Sequence, residues 1–109
     1  MAEDFFTVNA SLGTTADTAV LTNSGSGKYI IILCQVANID GTNSSNLFMD
    51  AYDSSATSAK ALAHEISVPA DTSFNPIGGK LVLESGDQLR AWASDVDDLE
   101  INISYLEIT

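Results

Sequence analysis

The sequence predicts an all-β protein, a single-domain antiparallel β-sandwich of jelly-roll-like form with about eight strands across residues 1–109. Three observations carry that expectation. Apolar or alternating runs of about five to ten residues recur between clusters of Gly, Ser, Thr, Asn and Asp, as strands joined by tight turns require. No apolar stripe at helical spacing extends over a full helix length. A chain of 109 residues has room for one modest core, burying about two thirds of the surface its unfolded form exposes.

Phe6, Val8, Ala10 and Leu12 alternate with Thr7, Asn9 and Ser11, the period of a half-buried strand. Ala19-Val20-Leu21 make a short second run, and Asn23-Ser24-Gly25-Ser26-Gly27 behind it permits a tight reversal. Residues 29–37 are apolar on both sides, with Ile30, Ile32, Cys34 and Val36 on one and Tyr29, Ile31 and Leu33 on the other. Sandwich strands normally leave their outer side polar. One side is therefore expected in the core, while the other must meet a loop, a neighbouring sheet or another subunit, and Tyr29, Ile31 and Leu33 are the candidates for contact with another copy of the chain.

The loop 40–45 leads into 47–52, where Leu47, Met49 and Ala51 point inward and Phe48 and Tyr52 outward as contact candidates. Residues 54–62 are Ala-rich and suit either a loop or a helical turn. Leu62, His64, Ile66 and Val68 share a face until Pro69, which lacks a donor, ends the strand. A turn at 76–79 opens a hairpin with arms 80–84 and 88–94, joined at Ser85-Gly86-Asp87 by a glycine that accepts positive φ.

On the second arm Leu89, Ala91 and Ala93 lie opposite Arg90 and Trp92. Trp92 beside Arg90 is either an interface anchor or a cover over the edge of the core. In the last strand Leu99, Ile101, Ile103 and Tyr105 share a face, and the apolar positions then shift to Leu106 and Ile108, as a bulge or a change of partner requires.

The 15 acids and 4 bases give a net charge of -11, carried on the surface of a chain whose 45% hydrophobic content is that of a folded protein. Lys28, Lys60, Lys80 and Arg90 are dispersed, whereas neutralising phosphates takes concentrated cations. Neither nucleic acid nor an anionic membrane surface is expected as a partner. Glu3 and Asp4 stand where a secretory signal carries cations, and no apolar run approaches the roughly 18 residues of a membrane span. A protein made and kept in a cytosol is the expectation.

Chemistry is sparse along this chain. His64, the lone histidine, shares a face with apolar residues and is expected as a hydrogen-bonded side chain in or beside the core. Cys34, the lone cysteine, sits mid-strand as a buried thiol, which leaves no internal disulfide and no thiolate metal cage. Nucleotide-binding and serine-hydrolase motifs are missing, so no catalytic residues and no cofactor are expected. Asp95, Asp97 and Asp98, with Glu100, form a weak calcium candidate whose spacing is not that of an EF-hand, and a charge run of this kind is usually a solvated turn. Asn-x-Ser matches at Asn9, Asn43 and Asn102 carry little weight in so Ser-rich a chain.

The C-terminal third carries Val68-Pro69-Ala70, then Gly78-Gly79-Lys80-Leu81-Val82-Leu83-Glu84, Gly86-Asp87 and a closing Ser104-Tyr105-Leu106-Glu107-Ile108. Over residues 66–109 this resembles small structural proteins of tailed bacteriophages. The resemblance implies a capsid decoration or cement protein on the virion surface, made in the host cytoplasm and often trimeric, that clamps neighbouring subunits of the major capsid protein. It carries over no catalytic residues. A tail or neck component, including a glycan-recognising receptor-binding module, is the alternative. Both need contact surfaces, for which Tyr29, Ile31, Leu33, Phe48, Tyr52, Arg90 and Trp92 are the sequence candidates.

Overall fold

The computed structural model describes residues 2–109, and among them it forms nine strands and no helix. The strands are β1 (Glu3–Ser11), β2 (Ala19–Thr22), β3 (Lys28–Asn38), β4 (Ser45–Asp53), β5 (Ser58–Val68), β6 (Ser73–Phe74), β7 (Leu81–Leu83), β8 (Gln88–Ala93) and β9 (Leu99–Ile108). One antiparallel sheet runs β1-β9-β3-β6, with β7 also on β3, and the other runs β2-β8-β4-β5. Because β6 and β7 both pair with β3, they act as one strand interrupted around Pro76-Ile77-Gly78-Gly79. Eight strands then distribute between two sheets in the order of a jelly roll, as the turn spacing predicts.

The core fills the space between the sheets. Ile31 and Val36 of β3, Leu47 of β4, Leu89 of β8, and Leu99 and Ile103 of β9 are each 0% exposed. In β4, β8 and β9 the inward residues follow the period of two that the sequence displays.

Strand β3 departs from it. Its pairing with β9 shifts between Ile31 and Leu33, so Ile32 is an extra residue and the inward set becomes Tyr29, Ile31, Cys34 and Val36. The expected division of the strand into two constant faces is thereby corrected. Tyr29 (9% exposed) and Ile31 (0%) belong to the core and cannot be contact residues, while Leu33 remains outside at 43%. The bulge or change of partner expected at the C-terminal end of β9 is not found, because Leu106 and Ile108 are apolar residues on the outer face of a strand that keeps both partners. Its pairing with β1 is regular throughout, and the slip lies in β3 opposite Tyr105 and Ser104.

Strand β5 is also irregular against β4, with Glu65 at φ +55°. His64 therefore leaves the face of Val68 and is exposed, where a hydrogen-bonded position in or beside the core was expected. Residues 54–57 form a turn and not a helix, and β5 begins at Ser58.

The expected hairpin of 80–84 with 88–94 does not form. β7 pairs with β3 in one sheet, and β8 pairs with β2 and β4 in the other, so Ser85-Gly86-Asp87 carries the chain across the sandwich. Gly86 has φ +88°, and the Asp87 carboxylate accepts from the N–H of Glu84 at 2.9 Å and of Ser54 at 3.0 Å. That second bond ties the crossing to the end of β4, which a hairpin turn would leave free.

Two buried asparagines hold the loops at opposite ends of β3. Asn23 donates to the carbonyls of Gly27 and Leu83, each at 2.9 Å. Asn38 donates to Asn43 O at 3.0 Å and Val68 O at 2.8 Å. Their side-chain oxygens accept from the N–H of Gly25 and Asp40, so each amide is satisfied on both sides.

Candidate assembly surfaces

The outer face of the β2-β8-β4-β5 sheet carries the aromatic candidates. Phe48 and Trp92 are cross-strand partners, and their rings stack in parallel with centroids 5.6 Å apart. His64 meets Phe48 edge-on at 5.8 Å. Trp92 thus lies on the outer face of its sheet, stacked on Phe48. Stacking leaves both large rings half-buried.

Beside them Arg90 is held within its own chain. Its guanidinium donates to both Asp50 carboxylate oxygens, at 2.7 and 3.0 Å, with Asp17 at 3.4 Å and the Tyr52 ring 5.2 Å below. The hydrogen-bonded Asp50 carboxylate is the main cause that raises the Arg90 pKa, and burial works against it. A guanidinium engaged in this way fastens β4 to β8 and offers little to a partner.

The outer face of the other sheet is different. Phe5 of β1, Leu106 of β9, Ile30 of β3 and Val82 of β7 are consecutive cross-strand partners and form one apolar row across four strands. Phe5 is 72% exposed and Val82 48%, and Ile32 (42%) and Leu33 (43%) extend the patch beside the row. Apart from Leu33, the sequence candidates omit these residues. Each sits between two inward neighbours or in the slipped segment, so single-strand periodicity gives no reason to select it. The visible signal is the shift to Leu106 and Ile108 in the last strand.

Acidic loops gather at one end of the sandwich. The Asp40 carboxylate accepts from the N–H of Thr42 and Asn43, which holds its pKa below the ordinary value. Asp98 is raised, first by lost solvation and then by repulsion from Asp40, Asp95 and Asp97. Among the described residues no three acidic, histidine or cysteine side chains come together as metal ligands, so the calcium candidate Asp95, Asp97 and Asp98 is not assembled. A cleft of 390 Å³ opens at the other end beside Lys28, Glu84, Ser85 and Asp87. There the Ser85 hydroxyl donates to Gly25 O and Asp87 is engaged in the crossing turn. Cys34 is buried, which pushes its thiol up to about 12.

No protein-family model matches the chain, and no curated protein does either. Among solved structures the chain is similar to a Bacillus endospore appendage protein, of a family described as disulfide-linked pili. The TM-score is 0.53 at 15% identity, over 97% of this chain and 86% of that one. It also overlaps the Eiger TNF of S. frugiperda, at TM-score 0.47 and 12% identity over 94% of this chain and 85% of that one. The first likeness is one of fold, and that fold serves a structural protein in the appendage.

Proposed function

We propose that the chain is a structural subunit that packs against further copies of itself and against a larger protein assembly, and that this assembly is a phage capsid to which it adds as a decoration protein. The apolar row Phe5, Leu106, Ile30 and Val82, on a sheet face that ordinarily meets water, carries this reading. The occurrence of the same fold in an appendage subunit supports the structural role, and the resemblance of residues 66–109 to small phage structural proteins is what points to a capsid. With Cys34 buried, association between copies rests on packing and hydrogen bonds.

The stacked Phe48 and Trp92 favour one other reading, a tail or neck module that lays sugar rings on aromatic side chains. Mass determination by light scattering, followed by sedimentation with undecorated phage capsids, separates the two. A stable oligomer that sediments with capsids, and a Val82→Lys variant that folds but stays in the supernatant, is the expected result. A protein that ignores capsids and binds a glycan array replaces decoration with receptor recognition.

A further inference from the structure

We propose that two copies of this chain join through the free edge of β1, antiparallel and centred on Thr7, so that the β1-β9-β3 sheets of both become one continuous sheet. The inference rests on the self-assembling subunit proposed above and names the contact. β1 pairs only with β9, over nine consecutive positions without a slip. Ala2 and Thr109 exchange both backbone bonds, and Leu12 N–H donates to Leu99 O, so the even-numbered residues turn toward β9. Glu3, Phe5, Thr7, Asn9 and Ser11 then point their N–H and C=O groups away from the sheet.

Edges of this kind are ordinarily blunted by shortness, bulges, lysine or proline. Among the described residues the other edges follow that rule. β2, β6 and β7 have 4, 2 and 3 residues, and β5 is interrupted by register shifts, carries Lys60 and runs into Pro69. β1 has nine residues with no bulge, lysine or proline and carries charge only at one end, at Glu3 and Asp4, and its Phe6 stacks on Tyr105, which stacks on Tyr29, at 5.5 and 4.7 Å.

Charge selects the orientation. An antiparallel pair centred on Thr7 sets Glu3 against Ser11 and Asp4 against Ala10 of the second copy. The two Glu3 carboxylates then stand eight residues apart along the strand, about 27 Å and well beyond screening range. Parallel pairing would place Asp4 beside Asp4 at about 5 Å. The antiparallel register also joins the five outward-pointing residues of each copy in about ten backbone bonds, and brings Phe6, 44% exposed, against Val8 of the other copy. Since the dyad is perpendicular to the sheet, both apolar rows come to lie on the same side of the dimer. That side is a broad face for a capsid surface.

Two variants test the contact. Proline at position 7 removes a donor that points away from β9, so Thr7→Pro leaves the fold intact but blocks the edge. Wild type should show twice the 11.5 kDa chain mass by light scattering, and Thr7→Pro the single mass with unchanged circular dichroism. Thr7→Cys places two thiols opposite each other at the dyad and should form a covalent dimer on oxidation, whereas Asn9→Cys, which faces Phe5, should not. An oligomer that survives Thr7→Pro, or equal cross-linking of the two cysteine variants, overturns the edge contact and leaves the assembly reading standing. A wild-type chain that is monomeric at every concentration sinks both.

Discussion

Asn38 shows what one buried amide does in a sandwich without disulfides. At 3% exposure it closes the carbonyls of Asn43 and Val68 and the N–H of Asp40, two groups in the loop after β3 and one at the end of β5. Asn38→Asp keeps the shape but replaces two donors by acceptors facing two carbonyls. The loss should be about 3 kcal/mol in urea unfolding, since buried partners are left unpaired around a charge. At the acidic loops the effect has the opposite sign. Asp98 has a raised pKa in the folded state, so its ionised form opposes folding at neutral pH, and that penalty is released as pH falls through the raised value. Asp98→Asn should therefore raise Tm at pH 7, and the gain should vanish once the pH drops below the ordinary carboxylate pKa of about 3.9.

At the scale of elements, the crossing between β7 and β8 depends on Gly86. A Cβ there would take φ +88° and stand 2.6 Å from Ser54 Oγ, in the turn that Asp87 ties to β4. Gly86→Ala should cost about 2 kcal/mol in thermal unfolding from the left-handed backbone alone. Gly78→Ala, where a methyl meets nothing within 4 Å, should be near neutral and serves as the control. The same turn marks the limit of what the sequence conveys. Ser-Gly-Asp suits a hairpin or a crossing equally, and the choice is made by β3, some 50 residues away, which takes β7 as its partner. Alternation is legible in β4, β8 and β9 because nothing interrupts their period. It misleads in β3 and β5, because an extra residue at Ile32 or near Glu65 reverses the phase without any mark in composition. Both misplaced contact residues, Tyr29 and Ile31, and the misplaced His64 follow from those slips. Phe48, on an uninterrupted strand, lies on the exterior as its sequence predicts, and Trp92, whose sequence leaves its role open, pairs with it there.

For the whole molecule the net charge of -11 sets how assembly responds to salt. Two such bodies repel each other at long range, while the β1 edge gains from backbone pairing and from the burial of Phe6 against Val8 of the other copy, which salt does not weaken. Raising salt from about 0.02 to 0.5 M shortens the screening length several-fold, from about 20 Å to about 4 Å. The repulsion is then removed and the attraction remains. Dimerisation measured by sedimentation equilibrium should therefore strengthen with salt, by about tenfold if repulsion opposes pairing by about 1.4 kcal/mol. An interface made by cross-subunit ion pairs, with Arg90 released from Asp50 to bind a neighbouring acid, would weaken over the same range. Because Arg90 is held at 2.7 Å by its own chain, the strengthening is the outcome the structure leads us to expect.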